Sequence, residues 1–336
     1  MKLLVLGGTH FVGRAVVEAA LAAGVEVTTL NRGLSGITFD GVTELVADRT
    51  DPGALGAALA NAEWDAVIDT WSGAPAVIAA SCQLLAGRVG YIGYVSSLSV
   101  VSWPVPVDAD EKAPLVDGDP DSEDASDYAA AKRGAELAVL RTFGDQALLA
   151  RAGLILGPYE NIGRLPWWLR RVERGGRVLA PGDPARPLQY IDVRDLAAWL
   201  VSAAARQVGG AFNAISPPGH TTMGELLAET VRVASAPGAE LVWVPQSQVL
   251  DVGISPWMEL PIWVPQDEEF AGFMSVNVSA AHAAGLSCRP VQDTVAGTWA
   301  WLRAEGDPAP RPDRPSVGLD PAKEREVLAV LTGGHA

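Results

Sequence analysis

Short apolar runs alternate along the first half of the chain with longer segments of helical spacing. Residues 3–6, 25–30, 44–47 and 66–69 read as buried strands, and residues 13–23 as the clearest helix. Strands alternating with helices predict βαβ units and therefore a parallel sheet. A further strand spans 89–96, a loop rich in Pro and Asp spans 103–127, and a helix covers 128–142. Residues 148–156 read as the next buried strand, ended by Gly157 and Pro158. Beyond this point the pattern is less regular. Helices are predicted over 164–173, 222–234 and 291–304, and the loops between them hold much of the Pro and Trp. That change predicts a smaller second domain laid over the C-terminal edge of the sheet. Residues 306–319 read as a Pro- and Asp-rich linker, and 320–331 as a last helix capped by Asp320. No internal repeat is found.

Composition narrows the class. The chain has 336 residues, 49% of them apolar, which suffices for one large unit or two domains sharing a cleft. Its 25 basic and 40 acidic residues give a formal charge of -15, which repels a polyphosphate backbone, so nucleic acid is not an expected partner. Cys82 and Cys288 are too few for a disulfide framework and point to a reducing compartment, the cytoplasm. The apolar run after Met1 and Lys2 is too short for a secretory signal, and no stretch is long enough to span a membrane.

The first candidate site is the turn Gly7, Gly8, Thr9, His10, Phe11, Val12, Gly13, directly after a strand and opening a helix. That context gives a glycine-rich turn its meaning: Gly7 makes the tight turn, Gly13 lets helix and strand pack closely, and the helix N-terminus faces a pyrophosphate. An ordinary strand-to-helix connection is the competing reading. Thr9, His10, Phe11 and Val12 are expected along the cofactor with the two glycines, as are Asn31, Asp48, Arg49 and Thr70 at the ends of the next three strands. The second strand ends in Asn31, Arg32 and Gly33, without the carboxylate that usually meets the ribose hydroxyls of NAD. Arg32 matches a 2′-phosphate instead, so NADP is expected, with NAD as the alternative. Asp48 stands where a carboxylate accepts the adenine amino group, or is a solvated turn residue.

Tyr128 and Lys132 stand one helical turn apart on the same face. A phenol with an ordinary pKa near 10 is a poor base at neutral pH, and a neighbouring ammonium corrects this by stabilising the phenolate. Ser97, ending the strand before the Pro-rich loop, is placed to hydrogen-bond the substrate oxygen. A Tyr and a Lys at this spacing arise often on amphipathic helices, and only the glycine-rich turn and the serine strand before them favour catalysis.

On these elements the sequence resembles the extended short-chain dehydrogenase/reductases, the NAD-dependent epimerase/dehydratase family. The resemblance rests on Gly7 to Gly13, Tyr94 to Ser97, Tyr128 to Lys132, Arg151 to Pro158 and Gln189 to Leu196. It implies a doubly wound Rossmann sheet of the α/β class, interleaved in sequence with a smaller α/β substrate domain. The implied division is 1–157 with 186–215 for the dinucleotide, 158–185 with 216–305 for the substrate, and 306–336 for the linker and last helix. It also implies that residues 154–158 lie along the nicotinamide, and a homodimer through helices of the nucleotide domain. His10 replaces the family's middle glycine and, with Arg32, fits an NADP preference. Leu98 and Ser99 follow Ser97 where sugar-nucleotide dehydratases carry Asp and Glu, so dehydration is disfavoured. Arginines that grip a substrate diphosphate in epimerases are replaced by Leu188 and by Asp267 to Glu269, leaving Arg186 or Arg164 as substitutes. Trp71, Trp103, Trp257 and Trp263 are candidate substrate contacts, with 255–263 as a lid, although most tryptophans fill cores. The expectation is an NADPH-dependent reductase, or the reverse dehydrogenase, acting on a carbonyl or secondary alcohol of a small molecule. A nucleotide-sugar 4-epimerase with retained NAD and a non-catalytic nucleotide-sensing or RNA-binding relative are the alternatives.

Overall fold

The computed structural model describes residues 1–60, 62–234, 238–309, 311 and 314–333. The chain runs through β1 (Lys2–Leu6), α1 (Phe11–Ala22), β2 (Glu26–Asn31), β3 (Thr43–Val46), α2 (Pro52–Leu59), β4 (Ala66–Asp69), α3 (Pro75–Leu85), β5 (Ile92–Ser97), α4 (Tyr128–Phe143) and β6 (Ala147–Ala152). Then come β7 (Ile155–Leu156), α5 (Arg164–Glu173), β8 (Arg177–Pro181), β9 (Pro187–Leu188), β10 (Ile191–Asp192), α6 (Val193–Arg206) and β11 (Gly210–Ala214). The rest is β12 (Thr221–Thr222), α7 (Met223–Ala234), β13 (Glu240–Val244), α8 (Gln246–Asp251), α9 (Ser279–Ala283), α10 (Val291–Glu305) and α11 (Pro321–Gly333).

Seven strands form one sheet in the order β11-β6-β5-β4-β1-β2-β3, and every pairing in it is parallel. The α/β doubly wound fold is therefore present. Strand order reverses between β1 and β4, which opens a crevice beyond the C-terminal ends of these strands. Helices cover both faces, so strands such as β4 and β5 are buried along their whole length and read as continuous apolar runs. Val16 of α1 and Leu196 of α6 belong to the core on one face, and Leu55 of α2, Ile78 of α3 and Val139 of α4 to that on the other. A third core joins Trp168 of α5, Leu179 of β8, Leu227 of α7, Val295 of α10 and Val327 of α11.

The strand read over 148–156 is broken. A Cβ at Gly153 would come 2.1 Å from Ile215, and past this close approach β7 leaves the sheet to pair with β10. Asp320 caps α11 as expected, accepting from the backbone N–H groups of Ala322 and Lys323. The stretch read as a linker is packed against the body. Asp307 pairs with Arg170 at 2.6 Å, and the Gly318 N–H donates to the Met258 carbonyl at 2.7 Å. Parts of the expected linker and last helix, 310, 312–313 and 334–336, lie outside the described residues. Among the described residues no helix is long and apolar enough to cross a membrane.

Candidate active site

The turn after β1 is shaped by glycine. Gly7 has φ 116°, and a Cβ there would lie 2.4 Å from the Thr70 hydroxyl, which itself donates to the Leu6 carbonyl. A Cβ at Gly13 would lie 2.9 Å from the backbone nitrogen of Gly8. The first intrahelical bond of α1 runs from Arg14 N–H to the His10 carbonyl. The N–H groups of Phe11, Val12 and Gly13 thus point out of the helix end, where the macrodipole also favours an anion. This cradle fits the pyrophosphate of a dinucleotide, which the backbone donors from Phe11 to Gly13, beside Thr9 and Thr70, would hold.

At the end of β2, Asn31 accepts from the Gly33 N–H at 2.8 Å and so fixes the turn that leaves Arg32 exposed. Asp48 is exposed and accepts from the N–H and hydroxyl of Thr50. One cofactor expectation needs correction. Arg49 is buried, with Nη1 and Nη2 committed to both Asp69 oxygens at 2.8 and 2.6 Å and to Ser81, so it clamps β4 to α3, while its Nε has no partner among the described residues. His10 is exposed and makes no capping bond; desolvation, then the cations Arg311 and Arg32, hold its imidazole below the ordinary range.

Ser97 and Tyr128 line one cavity of 570 Å³, with Phe11 of the dinucleotide turn on its wall. Ser97 ends β5 and caps the short turn Leu98–Val100, its hydroxyl accepting from the Ser99 N–H at 3.1 Å. Asp127 caps α4, accepting from the Ala130 N–H, so Tyr128 begins the helix and Lys132 lies one turn further on. Lys132 is buried. Its three N–H bonds go to the Trp71 carbonyl at 2.7 Å, the Val95 carbonyl at 2.7 Å and the Tyr94 hydroxyl at 3.1 Å. Burial pulls its pKa down to about 7, with Arg314 acting in the same direction and Asp69 and Glu136 opposing. All three donors of Lys132 are thus engaged within the fold.

The rest of the lining is largely apolar: Val101, Trp103, Leu154, Ile155, Trp257 and Phe273 stand on its walls. Of the segment 154–158, Leu154 and Ile155 line the cavity, whereas Leu156, Gly157 and Pro158 are not in its lining. Trp103 packs edge-on against Phe270 and Phe273. Trp263, by contrast, is 2% exposed in the core, and Trp71 turns its indole N–H to the Ala74 carbonyl. Neither lines the cavity, so of the four candidate tryptophans the structure brings together only Trp103 and Trp257.

Two arginines also line it, Arg164 from the start of α5 and Arg314 from the stretch before α11. The Arg314 guanidinium stands 5.1 Å from the Tyr128 ring centroid. Arg164 is one of the two expected substitutes; the other, Arg186, is not in the lining and donates to the Pro265 carbonyl. Arg314 has no sequence signal, because it sits among prolines in no periodic element.

Similarity to solved structures follows the same fold. A UDP-glucose 4-epimerase of Thermus thermophilus in complex with NAD is 22% identical over 91% of this chain and 100% of its own, with TM-score 0.63. A putative epimerase from Burkholderia cenocepacia is 21% identical over 90% and 98%, with TM-score 0.67. The Bordetella bronchiseptica enzyme WbmH in complex with NAD+ is 18% identical over 91% and 99%, with TM-score 0.67. No curated protein matches the sequence. The model of the NAD dependent epimerase/dehydratase family matches residues 3–214, and the chain belongs to that family of NAD-dependent enzymes.

Proposed function

We propose that this enzyme is an NADPH-dependent reductase, or the reverse dehydrogenase, of a small carbonyl compound or secondary alcohol. The observation that carries the reading is a single apolar cavity holding Ser97 and Tyr128 next to Phe11 of the dinucleotide turn. The nicotinamide, when bound, supplies the hydride to the carbonyl carbon. Ser97 donates a hydrogen bond that fixes the carbonyl oxygen, and Tyr128 delivers the proton to that oxygen as it becomes an alkoxide. The Tyr128 phenolate left behind is stabilised by the field of Lys132 acting through space. Lys132 is thus a positioning and electrostatic residue, held in place by Tyr94 and the Trp71 and Val95 carbonyls. Arg32 at the end of β2 is assigned to the 2′-phosphate.

Tyr128→Phe tests the reading: turnover should be abolished while NADPH binding stays close to wild type. Loss of binding together with turnover would undermine the assignment. Mass spectrometry of nucleotide released on denaturation separates the second reading. The similarity to UDP-glucose 4-epimerase favours that reading, and stoichiometric retained NAD would establish an epimerase that recycles its cofactor.

A further inference from the structure

We propose that the substrate carries an anionic group, a carboxylate or a phosphate, on an apolar body, and that Arg164 and Arg314 hold that anion inside the cavity. The proposal rests on the reading of this cavity as the reaction site. Its walls are aliphatic and aromatic, which suits an alkyl or aryl skeleton. Against them stand two guanidinium groups, in a chain whose overall charge is strongly negative. The Arg164 guanidinium lies 4.9 Å from the Trp257 ring centroid, and that of Arg314 lies over Tyr128. In each, Nε is buried and has no hydrogen-bond partner among the described residues. A buried donor left unmatched is costly, and it is a donor ready for a ligand.

The nearest carboxylate does not complete the site. Glu160 is fully buried and uses its two oxygens to accept the N–H groups of Arg164 and Leu165, at 2.8 and 3.0 Å. It caps α5 and forms no ion pair with Arg164 among the described residues. Arg164 is moreover a cation on the first turn of a helix, where the macrodipole opposes it and favours an anion. Burial lowers the pKa of Arg164; the charge of Glu160 opposes this through space, and the nearby Arg314 lowers it again. An anion between the two relieves both repulsions and satisfies the free donors. The segment that carries Arg314 is pinned on both sides, by Asp307 to Arg170 and by Gly318 to Met258.

Octanoate, octyl phosphate and 1-octanol serve as probes, titrated calorimetrically into the full-length protein. The wild type should bind one or both anions at least about tenfold more tightly than the alcohol. A preference for octanoate assigns a carboxylate, and one for octyl phosphate assigns a phosphate. R164M and R314M should each remove most of that preference while changing octanol affinity by no more than about twofold. R314Q, on a surface segment, serves if R164M does not fold. Equal binding of alcohol and anions by the wild type overturns the proposal, as does an unchanged preference in the Arg314 variants. NADPH affinity is measured on the same proteins; a loss there as large as the loss for octanoate assigns the arginines to the cofactor and also overturns it. Tyr128→Phe should keep the anion preference, so failure of the reductase reading leaves a separate signature.

Discussion

Lys132 Nζ lies 3.1 Å from the Tyr94 hydroxyl and 4.7 Å from the centroid of the same ring. A buried ammonium held between a phenol and two carbonyls keeps its hydrogen bonds but loses the water that would stabilise its charge. The result is a lysine that titrates near neutrality, one turn of α4 from Tyr128.

Stability should therefore rise with pH through the range in which Lys132 loses its proton. The folded pKa is about 7, below the ordinary lysine value of about 10.4. Between those values the unfolded chain binds the extra proton, so raising the pH favours the folded state; below pH 7 both states are protonated and the folded state carries the whole burden of the buried charge. Urea unfolding of wild type and Lys132→Met at pH 6 and pH 9 should show the wild type gaining on the order of 2 kcal/mol relative to the variant at the higher pH. Parallel curves would remove Lys132 as the titrating group.

Gly13→Ala should damage the dinucleotide turn without touching the proton-transfer residues. The added methyl meets backbone of Gly8 and Gly7, which cannot swing aside as a side chain does. A cost of about 1–3 kcal/mol is expected, together with weaker NADPH binding. Thermal unfolding and a fluorescence titration of NADPH measure the two effects, and unchanged affinity would separate this turn from the cofactor.

Arg32→Ala should weaken NADPH by about tenfold or more and NADH by much less, because a guanidinium to phosphate hydrogen bond is charge-assisted and absent from NADH. Arg32 stands exposed at the end of β2, where the 2′-phosphate is assigned. An equal loss for both nucleotides would leave the NADP assignment without a basis.

What the sequence revealed follows physical range. The parallel sheet was legible because strands buried on both faces must be apolar throughout, as in β4 and β5. Gly7, Gly13, Tyr128 and Lys132 were legible because their relation is local, set by one turn or one helical repeat. Arg49 misled for the opposite reason: its partners Asp69 and Ser81 lie 20 and 32 residues away, and no pattern announces a buried ion pair. Trp263 and Trp257 share a segment and a residue type, yet only the path of the backbone decides which one faces the cavity. Arg314 was hidden altogether, since a Pro-rich segment has no periodicity from which a facing direction can be read.

Arg314 lies just before α11, and a buried ion pair helps hold α11 together with its core residues Val327 and Leu328 and the Lys323–Glu259 pair. Glu324 is 3% exposed and accepts from Arg171 Nε at 2.5 Å and from the Leu179 N–H at 3.0 Å, joining α11 to α5 and β8. Glu324→Ala strands a buried guanidinium and a backbone donor, a loss of about 3–5 kcal/mol. Replacing the pair together, as Arg171→Met with Glu324→Leu, removes both charges and should cost far less. Hydrogen exchange in Glu324→Ala should quicken across 321–330 before the sheet opens, since the strands of the nucleotide site make their hydrogen bonds elsewhere. The same variant should lose part of the preference for octanoate over octanol, because the segment carrying Arg314 then loses the support of Glu324 and keeps its Asp307 and Gly318 anchors. If Glu324→Ala is as stable as wild type, the ion pair does not hold α11, and the placement of Arg314 must be secured by Gly318 and Asp307 alone.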